Sequence, residues 1–311
     1  DEQIFTVPSG VSELALLVTG GVANIEYSQF NGGGDALYIG NLKTEPGRQY
    51  RVRVGGSPAF DERDASRILD DPFAPYERPG GWNGGGDGYT VPIGIITLDG
   101  PRWKRGSTAG GGATTVALGG DVIATVGGEP GLSWISSLVP PEPMTQENTY
   151  APGPPSGPTL RRIVGARPTA TQPPRKEYTP AEAGHPSDPR VLPAITGGES
   201  SGGSSFQVIW PRTGPLDPQV MTIPGAGGGG YGGGCSGIVV DTGSFPGFPP
   251  GPPTGFLPLR GNFGGTHIKA PLFNAWVHQP QPIPSVLFFW PASPGGALWR
   301  VGHIGWGSGS W

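Results

Sequence analysis

Runs of glycine interrupt this chain at short intervals and proline recurs between them, so few stretches can hold a regular helix. The 311 residues include 58 Gly and 39 Pro, nearly a third of the chain. In a helix interior Gly costs about 1 kcal/mol and Pro about 3 kcal/mol relative to Ala. Yet 9 Trp, 8 Tyr and 12 Phe are more aromatic residues than a disordered chain usually carries. We therefore expect a packed, mainly β protein of short-stranded, glycine-rich, sandwich-like units, with extended polyproline-like and polyglycine segments and very little helix.

Apolar residues that alternate or run continuously between glycine and proline turns predict the strands. Residues 49–54 (QYRVRV) alternate between polar and apolar, whereas residues 14–18 (LALLV) are apolar on both faces, as in a buried strand. Other predicted strands cover residues 89–98, 113–118, 122–126, 206–210, 219–223 and 238–240. Residues 61–69 (DERDASRIL) are the one short helix that the sequence predicts, with Asp61 as its N-cap.

The composition changes twice along the chain, which predicts three regions. Residues 1–135 are predicted to form a glycine-rich β domain. Residues 136–195 carry frequent prolines and little hydrophobic periodicity, which is typical of an extended connector. Residues 196–311 form a second region rich in glycine and proline, expected to contain β-structure and to end in an aromatic tail.

A tract of nearly pure glycine, GAGGGGYGGGCSG, covers residues 225–237. Ordering a backbone residue costs about 1–2 kcal/mol, whereas a fully buried large apolar side chain contributes about 1.5–3 kcal/mol. Because large side chains are few, we expect further copies of the chain to complete the fold, in a homo-oligomer and specifically a trimer whose glycine tracts meet at a common axis. The alternative is that the tract is a flexible loop.

Charge and residue counts exclude several kinds of partner. A net charge of −4 and scattered basic residues argue against nucleic acid. No apolar run approaches the roughly 18 residues of a membrane span, so we expect no membrane insertion. Cys235 is the only cysteine and the 4 His are widely spaced, so we predict no metal site and no cofactor.

One string has the appearance of a catalytic motif. Residues 238–244 (IVVDTGS) are similar to the active-site turn of an aspartic protease, which needs two carboxylates sharing a proton. The chain holds no second Asp-Thr-Gly or Asp-Ser-Gly, so such an enzyme would have to be a homodimer. The glycine and proline around the string favour a turn at a strand end. We therefore predict no catalytic residue and no enzymatic activity, and keep a dimeric aspartic hydrolase as the weakest alternative.

Four aromatic residues are the candidate binding residues: Trp299, Trp306 and Trp311 near the C-terminus, and Tyr231 in the glycine tract. Aromatic faces suit the apolar side of a pyranose ring, so these side chains would form a sugar-binding surface. They would serve as well as anchors of a subunit interface, which is the interpretation that we favour.

A motif near the start of the chain carries a resemblance to a known family. Its residues are Phe5, Val7, Pro8, Gly10 and Val11, followed by Pro46, Gly47, Tyr50, Val52, Val54 and Gly55. The pattern resembles the glycine-rich domain of phage tail and fibre proteins, and residues 110–128 resemble the second half of that domain. The resemblance covers about residues 3–135 and implies a component of the virion tail that touches the host surface.

The sequence therefore predicts a structural protein of a bacteriophage tail, as a minor tail, tail-tip or fibre protein located in the virion. Its expected partners are further copies of itself, other tail proteins and a host-surface glycan. The alternative is a carbohydrate-binding adhesin, located outside the cell on a bacterial surface.

Overall fold

Strands and the turns between them make up the described part of this chain, and no helix occurs there. The computed structural model describes residues 2–23, 34–58, 76–97, 100–137, 191–192, 197–198, 200–209, 220–237, 239–241, 256–258, 261, 263–269, 275–281, 283–292 and 299–305. The predicted helix at 61–69 and nearly all of the proline-rich connector lie outside these residues. The mainly β prediction is confirmed.

The strands follow one another with short separations over most of the chain. In chain order they are β1 (Glu2–Thr6), β2 (Glu13–Thr19), β3 (Gly34–Lys43), β4 (Gln49–Arg53), β5 (Tyr76–Arg78), β6 (Gly88–Thr97), β7 (Gly100–Ser107), β8 (Thr114–Leu118), β9 (Asp121–Val126), β10 (Trp134–Ser137), β11 (Val191–Leu192), β12 (Val208–Ile209), β13 (Val220–Ile223), β14 (Val239–Asp241), β15 (Phe256–Pro258), β16 (His267–Ile268), β17 (Ala275–Gln281), β18 (Ser285–Pro291) and β19 (Trp299–Gly305).

Two five-stranded antiparallel sheets form the larger part of the fold. The first sheet has the order β1-β4-β8-β9-β16, and the second has the order β17-β3-β2-β18-β19. Three smaller sheets have the orders β5-β6-β7, β10-β13-β12 and β11-β14-β15. The alternation predicted for residues 49–54 is present in β4, where Tyr50 and Val52 are buried and their neighbours are exposed.

The two large sheets share one hydrophobic core. Leu16 and Phe288 of the second sheet and Tyr50 and Val52 of the first are each fully buried in it. The ring of Phe288 stacks on Phe5 of β1 with the ring centroids 3.8 Å apart, and lies tilted 5.9 Å from the ring of Tyr50. These contacts join the sheets face to face, as in a β-sandwich.

Strands of the predicted N-terminal and C-terminal β regions pair with each other. Strand β2 pairs with β18, β9 pairs with β16, and β10 pairs with β13. Strands from residues 1–135 and 196–311 thus occur together in both five-stranded sheets. The composition changes near residue 196, but strands from both sides of that position are hydrogen-bonded to each other.

Burial of Tyr50 gives the fold a dependence on alkaline pH. Burial raises the pKa of the Tyr50 phenol above its ordinary value of 10.0, and the phenol donates a hydrogen bond to the Thr44 hydroxyl at 3.0 Å. The unfolded chain loses this proton near pH 10 while the folded protein retains it, so this contribution to stability is complete below about pH 10 and is lost as the pH rises through the folded pKa.

We expect the free energy of unfolding of Tyr50→Phe to fall less steeply than that of the wild type between about pH 9.5 and 11. Urea unfolding at a series of pH values measures both slopes. Equal slopes for the two proteins would show that Tyr50 is not the group responsible.

Glycine segments from distant parts of the chain pack together in the interior, outside the regular sheets. We call this set the glycine lattice, and it consists of residues 20–21, 55–56, 80–86, 110–112, 127–131, 200–203, 225–234 and 264–265. Most of its residues are buried, including the whole of 225–234. The tract at 225–237 is therefore part of the protein interior, and the alternative of a flexible loop is wrong.

The segment Gly110–Gly112 shows how the lattice is bonded. Its successive amides donate to the carbonyls of Gly86 at 2.9 Å, Glu129 at 2.8 Å and Gly56 at 2.9 Å. Its successive carbonyls accept from the amides of Gly81 at 2.8 Å, Gly229 at 2.9 Å and Gly21 at 2.8 Å. The backbone N–H and C=O groups of a β-strand point to two sides of the strand. In an extended helix with three residues per turn, successive groups point to three sides. The segment is therefore bonded to neighbours all around it.

Close approach of backbones explains why glycine occupies these positions. A Cβ atom placed on Gly112 would lie 1.7 Å from the carbonyl oxygen of Trp82, and one placed on Gly111 would lie 2.4 Å from that of Gly21. In both cases the obstructing atom belongs to the backbone and cannot rotate away. The lattice thus takes the place of side-chain packing between these segments.

Candidate recognition surface and cleft

Of the four predicted binding residues the structure describes two, Trp299 and Tyr231, which lie in different surroundings. Trp299 lies on β19 and is 58% exposed. Tyr231 is 5% exposed, and its ring stacks on that of His267 with the centroids 4.0 Å apart. Tyr231 therefore belongs to the packing around the glycine lattice, which corrects its assignment to a surface. Trp306 and Trp311 lie outside the described residues.

The surroundings of Trp299 are apolar. Strand β19 pairs with β18, with Trp299 opposite Pro291 and Val301 opposite Phe289. Val301 is 54% exposed, and Phe289 is partly exposed. Leu287 and Leu17, which pair with each other across β18 and β2, are also partly exposed. We call these residues the apolar strip.

The apolar strip occupies the outer face of the second sheet. Its residues alternate along β18 with Val286 and Phe288, which point into the core. An antiparallel sheet with one face in water usually places polar residues on that face. Exposed apolar patches of this kind commonly mark contacts with other proteins, so the strip fits the interface interpretation of Trp299.

A separate cleft of about 550 Å³ lies beside the hairpin formed by β5 and β6. Its volume falls within the range of roughly 300–1,000 Å³ that is typical of small-molecule sites. The residues that line it are Glu77, Arg78, Pro79, Asp87, Gly88, Tyr89, Ser204 and Ser205. None of these residues is among the candidate binding residues that the sequence indicates.

Hydrogen bonds from three chain segments hold the cleft together. The Ser205 amide donates to the Asp87 carbonyl at 2.7 Å, and the Gly80 amide donates to the Asp87 carboxylate at 2.8 Å. The Thr108 hydroxyl accepts from the Tyr89 amide at 2.8 Å and reaches the Ser205 hydroxyl at 3.4 Å. The walls of the cleft are thereby fixed relative to each other.

The glycine lattice continues directly into this cleft. The Gly86 amide, one residue before Asp87, donates to the Gly227 carbonyl at 3.0 Å, and the Gly86 carbonyl accepts from the Gly110 amide at 2.9 Å. The Gly202 amide, two residues before Ser204, donates to the Gly84 carbonyl at 2.7 Å. Both walls of the cleft therefore begin at lattice residues.

The cleft combines an aromatic ring with polar groups of both signs. Glu77 and Asp87 are exposed, whereas Arg78 is buried and its guanidinium donates to the Thr90 hydroxyl. Burial, with a smaller effect of the Glu77 carboxylate, raises the pKa of Tyr89 above 10.0. The Tyr89 hydroxyl is therefore protonated at neutral pH and can donate a hydrogen bond. Such an arrangement is suited to binding a small polar molecule.

The structure also describes Asp241 of the protease-like string, Cys235 and several potential metal ligands. Asp241 is the last residue of β14, in agreement with a strand end at that point of the IVVDTGS string, and residues 238 and 242–244 of the string lie outside the described residues. Cys235 is buried with a free thiol. Within the described ranges, no group of three or more His, Cys, Asp and Glu residues is arranged to hold a metal ion.

The sequence matches no protein-family model, and no curated protein shows significant similarity to it. Across the described part of the chain, no helix has the length and apolar character needed to span a membrane.

Proposed function

We propose that this chain is a structural, non-enzymatic component of a bacteriophage tail, as a minor tail, tail-tip or fibre protein of the virion, and that it takes part in recognising the host surface. The glycine lattice is the observation that supports this most. It builds a dense interior from backbone alone and holds surface segments in fixed positions. A recognition protein needs such a scaffold, since binding groups act best when they are held rigidly.

The motif that resembles phage tail proteins supports the proposal through its structural roles. Val7, Tyr50, Val52 and Val54 lie in the shared core. Gly55 enters the lattice, where a Cβ atom would lie 2.1 Å from the Gly112 carbonyl oxygen. The apolar motif residues thus contribute to the core and Gly55 to the lattice, so the motif coincides with structurally important positions.

The proposed partners are further copies of this chain in a trimer, neighbouring tail proteins and a host-surface glycan. The glycine tract no longer supports the trimer, because its backbone groups bond within one chain. The apolar strip supports protein contacts instead, as exposed Trp and Val side chains on a sheet face favour burial by a partner.

A carbohydrate-binding adhesin of a bacterial surface is the second candidate function. The cleft beside Tyr89 favours it as much as it favours host recognition by a tail protein, since both would bind surface sugars. The two candidate functions differ in where the protein is found: a tail protein belongs to the phage particle, and an adhesin to the bacterial surface.

Quantitative mass spectrometry of purified phage particles tests the proposal. We expect peptides of this chain at a fixed ratio to the other tail proteins, with a low copy number that is a multiple of three. Antibody labelling should place the chain on the tail in electron micrographs. Recovery of the chain from the bacterial envelope, and its absence from particles, would contradict the tail assignment and support the adhesin.

A further inference from the structure

The charge of the cleft beside Tyr89 limits the ligands that it can take. Among the described residues that line the cleft, Glu77 and Asp87 carry exposed carboxylates, and the cation Arg78 is 3% exposed and donates to Thr90. The chain as a whole carries a net charge of −4. Phosphates and carboxylates would therefore be repelled, and a neutral or cationic ligand is favoured.

The chemical groups at the cleft match a ligand that carries several hydroxyl groups. Carboxylates accept hydrogen bonds from hydroxyls, and bonds to a charged acceptor are about twice as strong as those between neutral groups. Ser204 belongs to the wall opposite the hairpin, is partly exposed and carries a further hydroxyl, whereas the Ser205 hydroxyl is buried and donates to the Pro224 carbonyl. The Tyr89 side chain, which is partly exposed, adds an apolar ring and a hydroxyl donor.

The cleft is also held in shape before any ligand arrives. Tyr89 and Thr108 exchange two hydrogen bonds of 2.8 Å, one to the Thr108 hydroxyl and one between backbone groups. Asp87 is held through both its carboxylate and its carbonyl. Binding then requires little ordering of the protein, which favours a small ligand that makes few contacts.

We propose that this cleft binds a single sugar ring, uncharged or carrying an amino group, with the Tyr89 ring against one face of the sugar and the Asp87 and Glu77 carboxylates accepting its hydroxyls. The proposal rests on the recognition part of the proposed function and names its ligand class. It does not depend on whether the chain is located in a virion.

Saturation-transfer NMR and calorimetry on the purified full chain test this site. The probes are D-glucose, D-galactose, D-mannose, N-acetyl-D-glucosamine and D-glucosamine, compared with D-glucuronic acid and inorganic phosphate. We expect at least one of the first five to bind and the two anions to bind more weakly. Binding of none of the five sugars, or tighter binding of either anion, would overturn the proposal.

Two variants locate the bound sugar. Asp87→Asn keeps the oxygen that accepts from the Gly80 amide and removes only the charge, so the fold should persist. We expect it to weaken binding about tenfold or more. Tyr89→Phe keeps the ring and should weaken binding less. Ile4→Ala, at an exposed position of β1 on a different sheet, is the control and should bind as the wild type does.

The outcome at Asp87 decides whether the cleft is the site. Sugar binding that survives unchanged in Asp87→Asn and in Glu77→Gln, with the melting temperature of both variants unaltered, would show that the sugar binds elsewhere. The particle analysis described above is independent of this result: a chain found in virions that binds no sugar would overturn the ligand class alone, and a sugar-binding chain absent from virions would overturn the tail location alone.

Discussion

Replacing Gly112 with alanine is expected to destabilise the protein by about 3 kcal/mol or more, or to prevent folding. The added methyl group would lie 1.7 Å from the Trp82 carbonyl oxygen. Removing this clash would require a backbone segment to move. Such a movement is opposed because the Gly112 amide donates to the Gly56 carbonyl at 2.9 Å and the Gly112 carbonyl accepts from the Gly21 amide at 2.8 Å. Urea unfolding followed by circular dichroism measures the loss.

Gly47→Ala is the matched control, since it adds the same methyl group in open space. Gly47 has a φ of +79° and no heavy atom within 4 Å of an added Cβ. Its replacement should cost about 1–2 kcal/mol, from the left-handed backbone conformation alone. A Gly112→Ala protein as stable as Gly47→Ala would show that the lattice segments do not approach each other as described.

Replacing Phe288 with alanine should lower the free energy of unfolding by about 3–5 kcal/mol. Phe288 is fully buried and contacts the rings of Phe5 and Tyr50, which lie far from it in the sequence. Because these residues share one core, we expect a single cooperative transition in both wild type and variant, shifted as a whole. Circular dichroism and tryptophan fluorescence should report the same midpoint.

Trp299→Ala serves as the control for Phe288→Ala. Its side chain is exposed, so removing it should change the stability of the isolated chain by less than about 0.5 kcal/mol. Two separate transitions, of which Phe288→Ala moves only one, would contradict the shared core and restore the interpretation of two β regions joined by a connector.

Local patterns in the sequence were sufficient to predict many of the strands. The polar and apolar alternation at 49–54 predicts β4, and the apolar residues 122–126 between glycine pairs predict β9. Residues 14–18, apolar on both faces, lie in β2, whose Leu17 contributes to the apolar strip. Each of these features depends on neighbours a few positions away, which sequence patterns record well.

The glycine lattice could not be predicted in the same way. Glycine has no side chain whose spacing would indicate a buried face, so a run such as 227–230 is equally compatible with a loop and with a packed interior segment. Its partners, among them Gly86, Gly111 and Gly203, are distant in the sequence. The number of large side chains also gives no measure of backbone packing within one chain, which here takes the place of side-chain packing between the lattice segments.

The residues of the cleft could not be predicted from the sequence for a related reason. Asp87 and Tyr89 follow a glycine run that predicts a turn, and nothing near them in the sequence points to Ser204 and Ser205. The bonds that bring the two segments together are largely backbone bonds, which leave little trace in residue type. The sequence instead indicates aromatic residues as candidate binding residues, and one of these, Tyr231, lies in the interior.

Native-state hydrogen exchange measured by NMR tests the glycine lattice most directly. The Gly111 amide donates to the Glu129 carbonyl at 2.8 Å and the Gly229 amide to the Gly111 carbonyl at 2.9 Å, both in the interior of one chain. We predict that these two amides exchange as slowly as those of β8, the central strand of the first sheet, at any protein concentration. Exchange at the rate of an unfolded chain, or protection that appears only when the protein is concentrated enough to associate, would contradict a lattice formed within a single chain.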